Sequence, residues 1–225
     1  MNNENQILDA FKSSPHLGTV KEPKSGKYLF ASDSYSKVLG FESPDQMTGL
    51  TVRDLNLTQE RWGEKDVIKM DQFVLEKKVT AEHTHPFLTA SGSLIYETVT
   101  KSPILGSRNN IIGIVSFNHD FTERLSHQSL YHMYKAVCGK KPAVQKLLHH
   151  LDIESWFCAL PTERELLVLL ERAAGKVDKE IAKTHHVSTR TTETHLLNLR
   201  AKLKGDALPS IIGSLRKQRH GIEVG

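Results

Sequence analysis

The chain has 225 residues of ordinary globular composition, enough for one large domain or two small ones. Residues 1–159 hold 18 basic and 18 acidic side chains, whereas residues 160–225 hold 12 against 8, so the whole formal surplus of +4 sits at one end. Two cysteines in no CxxC pair, no apolar run near the ~20 residues of a membrane span, and a polar Met1–Asp9 argue against a disulfide scaffold, a membrane protein and a secreted one.

A cytoplasmic, prokaryotic protein is therefore expected. A basic terminal module beside a neutral one is the charge footprint of nucleic-acid binding. A solvated basic surface fits the charge alone equally well.

In chain order, Leu17–Lys21 and Tyr28–Ala31 read as two strands joined by the turn Pro23–Gly26. Ser32 or Asp33 caps a short helix ending at Gly40. A longer amphipathic helix spans about Trp62 to Lys77, with Val67, Met70, Phe73 and Val74 on one side. Three strands follow, about Val79–Leu88, Leu94–Ile104 and Ile111–Phe121, separated by turns at Ser91-Gly92 and Gly106–Asn110.

This order of two strands, short helices and three antiparallel strands resembles the PAS sensor domain. Gly26–Leu55 is similar to the PAS segment in which a strand leads to N-x-x-F-x-x-L-x-G-Y and then G-x-x-x-x-D-L, with Ser32 for the usual Asn and Phe41 for the usual Tyr. Ile111–Arg124 is similar to its last strand and D-I-T-E-R signature, closing on Asp120-Phe121-Thr122. The resemblance implies a pocket between sheet and helices that takes a small ligand, a haem, a flavin or a partner protein.

The residues narrow the cofactor. A flavin photosensor needs a reactive Cys, and Met1–Thr122 holds none. A haem needs an axial His or Met; His83 and His85 share one strand face and His119 lies on the last strand, where surface positions are the commoner reading. His83 and His85 spaced as a metal pair lack a third ligand. No cofactor and no metal site is expected, and the identity of any ligand stays open.

Glu123–Phe157 joins the halves. Leu125, Leu130, Met133, Tyr134 and Val137 stripe one helix, Gly139–Pro142 breaks it, and Val144, Leu147, Leu148 and Leu151 form a second. The stripe is not a clean heptad; it serves intramolecular packing or a dimer contact about equally well.

The C-terminal quarter carries the sharpest pattern. Thr162 caps a helix and Glu165 completes a capping box. Leu166, Leu167, Leu169, Leu170 and Ala173 give its apolar face, and Gly175 ends it. Asp178 caps a short second helix with Ile181 and Ala182, Val187 closes a tight turn, and Ser188 caps a third helix running to about Leu203. Along that helix Thr192, Leu196, Leu199 and Leu203 face inward, leaving hydroxyl, amide and basic side chains outside, as a helix placed in the DNA major groove requires. A fourth helix, about Ala207–Gln218, carries Leu208, Ile211, Ile212 and Leu215 on one face.

This segment, about Leu160 to Gln218, resembles the LuxR-type helix-turn-helix domain. Thr162, Arg164 and Glu165 match its T-x-R-E opening. Gly175, Lys179, Glu180, Ile181 and Ala182 match its G…K-E-I-A block. Ser188, Thr191, His195, Asn198, Lys202 and Leu203 match its third-helix block with unbroken spacing. Glu193 stands where Lys is usual, Thr192 where Val is, His185 where Leu is, and Leu167 where Glu is. The resemblance implies base-edge contacts at Glu193, Thr194 and Leu197. It implies phosphate contacts from Lys179, Ser188, Arg190, Thr191, His195, Asn198, Arg200 and Lys202, which position the helix without reading sequence. A carboxylate at Glu193 repels a phosphate backbone, or accepts from cytosine N4 at a base edge.

The expectation is an α+β chain in three parts. Residues 7–122 form a PAS-like sensor with a five-stranded antiparallel sheet and flanking helices; 123–159 form a helical linker; 160–219 form an all-α, four-helix LuxR-type helix-turn-helix domain. No receiver-type acidic pair and no G-x-S-x-G, Walker, H-E-x-x-H or dinucleotide fingerprint occurs, so an enzyme is not expected. The function expected is DNA-binding transcriptional regulation, controlled by a small ligand or partner protein at the PAS domain. The expected partners are double-stranded DNA and a second copy of the chain, with RNA polymerase as a further candidate. The alternative is a protein-interaction adaptor whose helix-turn-helix no longer binds DNA.

Overall fold

The computed structural model describes residues 16–55 and 63–220. The chain divides at Thr122/Glu123 into two compact units. The expected start of the sensor at Ile7, the polar Met1–Asp9 stretch and Trp62 lie outside the described residues.

In the first unit, strands β1 (Leu17–Lys21), β2 (Tyr28–Ala31), β3 (Ala81–Leu88), β4 (Leu94–Leu105) and β5 (Ile111–Asp120) form one antiparallel sheet in the order β2-β1-β5-β4-β3. Helix α1 (Asp33–Val38) is capped by Ser32, whose hydroxyl accepts from the Tyr35 amide at 3.2 Å. Two 3₁₀ turns follow, Pro44–Met47 and Val52–Leu55, then α2 (Glu64–Lys77). Tyr28, Ala31 and Met47 form a buried cluster on which Tyr35, Leu39, Phe41, Leu50 and Leu55 pack.

Met70 and Val74 of α2 are buried as their spacing predicts, but Phe73 is 46% exposed. Each helical residue turns the chain by about 100°, which carries Phe73 off the line of Val67, Met70 and Val74. The face of the sheet turned inward is polar. Thr19, Lys21, His85, Glu97, Lys101, Ser116 and Asn118 are all buried. The expected surface position of His85 is thus corrected: it is 4% exposed, and its Nε2 lies 3.4 Å from Glu97, directly across the β3–β4 pair. His83 stacks on it at 5.5 Å between ring centroids.

The second unit holds α3 (His127–Cys138), α4 (Lys140–His150), a 3₁₀ turn Glu154–Trp156, then α5 (Glu163–Ala173), α6 (Asp178–Thr184), α7 (Thr189–Arg200) and α8 (Leu208–His220). Gly139 alone makes the expected break between α3 and α4. Its φ of 80° and ψ of 169° are open to glycine only. Pro142 is no breaker: it is the third residue of α4, where its missing N–H has no intrahelical acceptor to lose.

Helix α5 is central, with Leu166 and Leu169 fully buried. Ile181 of α6, Leu199 of α7 and Ile211 and Leu215 of α8 are each fully buried in this unit, and α6, α7 and α8 all pack on α5. Helices α3 and α4 pack on each other and on α5, and Leu130, Tyr131, Tyr134, Leu147 and Leu148 are buried. The segment read as a linker therefore shares a core with the four C-terminal helices.

Ion pairs fix that packing. The Lys135 and Lys140 ammonium groups lie 2.6 and 2.7 Å from the Glu163 carboxylate. These two hydrogen-bonded cations hold Glu163 down at about 2. A carboxyl depressed in the fold contributes stability that is fully present above its ordinary range and lost as pH falls through the folded value. The urea midpoint of the C-terminal unit should therefore drop as pH falls from about 4.5 towards 2. Glu163→Gln should flatten that part of the curve; an unchanged curve would remove Glu163 from the account.

Candidate nucleic-acid interface

The candidate interface is built from three short helices and the turn between two of them. The Thr162 hydroxyl accepts from the Glu165 amide at 3.3 Å while the Glu165 carboxylate accepts from the Thr162 amide at 2.7 Å, closing the expected capping box at the start of α5. Gly175 ends α5 with φ 92°, letting the Lys176 amide donate to the Glu171 carbonyl. Asp178 is not the cap of α6; Val177 holds that place, and its orphan N–H donates to Glu180 at 2.9 Å. Asp178 instead takes the Arg172 guanidinium at 3.2 Å. The turn runs through His186 in the left-handed region at φ 53°.

Ser188 caps α7, accepting from the Thr191 amide at 3.0 Å. Thr192, Leu196 and Leu199 are buried, and so is Leu203 beyond the helix end, which comes at Arg200 rather than Leu203. The opposite side is bare. Arg190, Glu193, Thr194, Asn198 and Arg200 are exposed, and Leu197 is 66% exposed.

The remaining expected contacts divide. Lys179 is exposed on α6. The Ser188 and Thr191 hydroxyls are hydrogen-bonded to each other at 2.8 Å, and His195 is half-buried. Lys202 is committed elsewhere: its ammonium lies 2.7 Å from Glu165, itself almost fully buried. Burial pushes the Glu165 carboxyl up, but Lys202 and the Thr162 cap outweigh it and hold it below the usual range. Sequence reasoning read Glu165 as a cap only, because a partner 37 residues away has no local signal. Glu193 forms no ion pair among the described residues.

The end of α7 is stitched down by backbone. The Cys158 amide donates to the Lys202 carbonyl at 2.9 Å, the Lys204 amide donates to the Trp156 carbonyl at 2.9 Å, and Phe157 and Leu203 form an isolated antiparallel bridge. At the other end, buried Glu171 of α5 faces His185 at 3.4 Å and Lys176 at 3.4 Å, with the Gln128 amide of α3 at 3.5 Å. His185, which departs from the family's leucine, therefore has a charge partner inside the unit.

Thr192 is the other informative departure. Its hydroxyl is buried with no hydrogen-bond partner among the described residues. Thr192→Val removes an unsatisfied polar atom at constant shape and should stabilise the unit by about 1 kcal/mol in a urea melt. A destabilisation would mean that the hydroxyl has a partner.

Residues 11–126 match the family described as the PAS fold, and residues 161–212 match bacterial regulatory proteins of the luxR family. The chain belongs to the PAS fold family. Its sheet order and flanking helices are those of a PAS domain, and its C-terminal helices are a LuxR-type helix-turn-helix domain. Among solved structures the PAS chain is similar to VqmA of Vibrio cholerae in a ligand–DNA complex, with 19% identity over 98% of this chain and 89% of that one and a TM-score of 0.48. It is similar to phage VqmA bound to DPO, with 19% identity over 99% and 92% and a TM-score of 0.48. The PAS domain of BvgS from Bordetella pertussis is 18% identical over 60% and 98%, with a TM-score of 0.45. No curated protein matches the chain in sequence. Among the described residues of this PAS protein no helix is long and apolar enough to cross a membrane.

Proposed function

We propose that the chain is a cytoplasmic DNA-binding transcriptional regulator whose PAS unit answers to a small ligand or a partner protein and controls the helix-turn-helix. The observation that carries this reading is the bare outer side of α7, held rigid by a buried inner side and capped at Ser188. In this reading Glu193, Thr194 and Leu197 meet base edges, Leu197 packing on a thymine methyl and Glu193 accepting from cytosine N4. Lys179, Ser188, Arg190, Thr191, His195, Asn198 and Arg200 meet phosphates and set the register. Lys202 serves the same end from behind, by fixing the last turn of α7 to α5. A second copy of the chain places a second α7 about one duplex turn away. RNA polymerase is a further partner of a regulator bound beside a promoter.

The test is affinity for random duplex against salt. Three exposed cations per copy that form no ion pair among the described residues, Lys179, Arg190 and Arg200, give a dimer a log–log slope of about −5. Arg200→Ala should weaken binding to every sequence about equally and lower the slope by about 1. Glu193→Lys should raise non-specific affinity and alter base preference. Exposed, unpaired Glu193 favours the second reading, an adaptor that no longer binds DNA. Absence of both affinity and slope in the full chain decides for the adaptor.

A further inference from the structure

The inward face of the PAS sheet has almost no free volume: the space enclosed there is about 30 Å³, room for roughly one water. Its own polar side chains fill it, including Tyr28, Tyr35, His85 and Glu97. A second opening lies elsewhere in the same unit. It is a cleft of about 500 Å³ between the β1–β2 turn, the Val52–Leu55 turn and α2, the size of a small-molecule site.

Lys21 and Asp71 line the cleft, and Lys101, which lines the interior, shares the same carboxylate. The Lys21 ammonium, almost fully buried, lies 2.7 Å from Asp71 Oδ2, and the buried Lys101 ammonium takes the other oxygen, Oδ1. Two cations share one carboxylate. The nearby buried acid, Glu97, is engaged by Asn118 at 2.8 Å and by His85. Burial, then the neighbouring Lys21 charge, pushes Lys101 down to about 8 in spite of Asp71. Exposed Lys24 and Arg53 stand at the rim, Arg53 also 3.2 Å from Glu64, and among the described residues of the lining Asp71 is the only acid. Ile68 and Leu75 supply apolar wall.

We propose that this cleft is a ligand site of the PAS unit separate from its interior, and that it takes a small organic carboxylate: the anionic end beside Lys21, Lys24 and Arg53, the apolar body against Ile68 and Leu75. The anion supplies the counter-charge that Asp71 alone does not. Because Lys21 and Asp71 line the cleft while Lys21 and Lys101 line the interior, occupation is felt on the inward face of the sheet. This deepens the reading of the PAS unit as ligand-responsive and rests on it, but needs no DNA.

The test uses the full chain without DNA, by calorimetric titration with monocarboxylates from acetate to 3-phenylpropionate, each beside its primary-alcohol counterpart. The longer carboxylates should bind at least about tenfold more tightly than their alcohols, as expected for a charge-assisted contact. Lys24→Glu and Arg53→Glu, both at exposed positions, should each weaken the carboxylate by about threefold to tenfold. Ser116→Val, on the inward face, should leave it unchanged. No binding by any acid, equal binding by acid and alcohol, indifference to both charge reversals, or loss on Ser116→Val would each overturn the proposal. Failure of the salt test above with a positive titration here would sink the DNA reading and leave this one standing.

Discussion

Asp71→Ala is expected to destabilise the N-terminal unit by about 3–5 kcal/mol, the usual result of removing one partner from a buried ion pair. Asp71 is the carboxylate on which the Lys21 and Lys101 ammonium groups converge, and its own side chain is only 13% exposed. Without it two buried ammonium groups lose their shared counter-charge. Total stability of a domain is about 5–15 kcal/mol, so the loss is large enough for a fraction of the unit to unfold at ambient temperature. Urea denaturation followed on the N-terminal unit measures it. The companion variant is the triple change Lys21→Met, Asp71→Leu and Lys101→Met, which replaces the group by apolar side chains of similar volume. It should recover most of the loss. A change under about 0.5 kcal/mol for Asp71→Ala, the range of ordinary surface substitutions, would mean that water reaches the lysines and that the triad is not a buried one.

Glu165→Ala should cost the C-terminal unit about 2 kcal/mol: about 1 from the lost cap on the Thr162 amide and about 1 from the ion pair with Lys202, whose side chain is 26% exposed. The loss is not only global. Lys202 follows the last turn of α7, so hydrogen exchange in Asn198–Arg200 should quicken more than in α3 or α4. Glu165→Gln keeps an acceptor for Thr162 and should lose only the ion pair. The double change with Lys202→Met gives the coupling energy directly. A coupling near zero would show the 2.7 Å contact to be ornamental, and Lys202 would then return to the phosphate-contacting set.

The sequence exposed the elements more readily than their pairings. Strands β1, β2 and β5, the capping box at Thr162 and Glu165, and the inward row Thr192, Leu196, Leu199 and Leu203 all follow from period and local chemistry, and stand where expected. What escaped was every partner that depends on register. His85 reads as a surface residue until β3 is laid beside β4 and Glu97 falls opposite it. Lys21 and Lys101 carry no local sign of burial, because their shared carboxylate sits on a helix 50 and 30 residues away. Phe73 illustrates the reverse error: an apolar residue near the stripe was counted into it although the helix turns it to water. The outer side of α7 was legible because each exposed position is set by a single helix; the tie of Lys202 to Glu165 was not, because it spans two.

The stitching around Trp156–Cys158 has a mechanical consequence. Those residues leave α4 and are hydrogen-bonded to the chain that leaves α7, while Glu163 at the head of α5 is held by cations on α3 and α4. To slide the helical hairpin past the helix that faces outward, the main-chain hydrogen bonds that make the Phe157–Leu203 bridge must break. Within the second unit the hairpin of α3 and α4 and the outward-facing α7 are therefore tied into one body, and a displacement of the hairpin carries α7 with it.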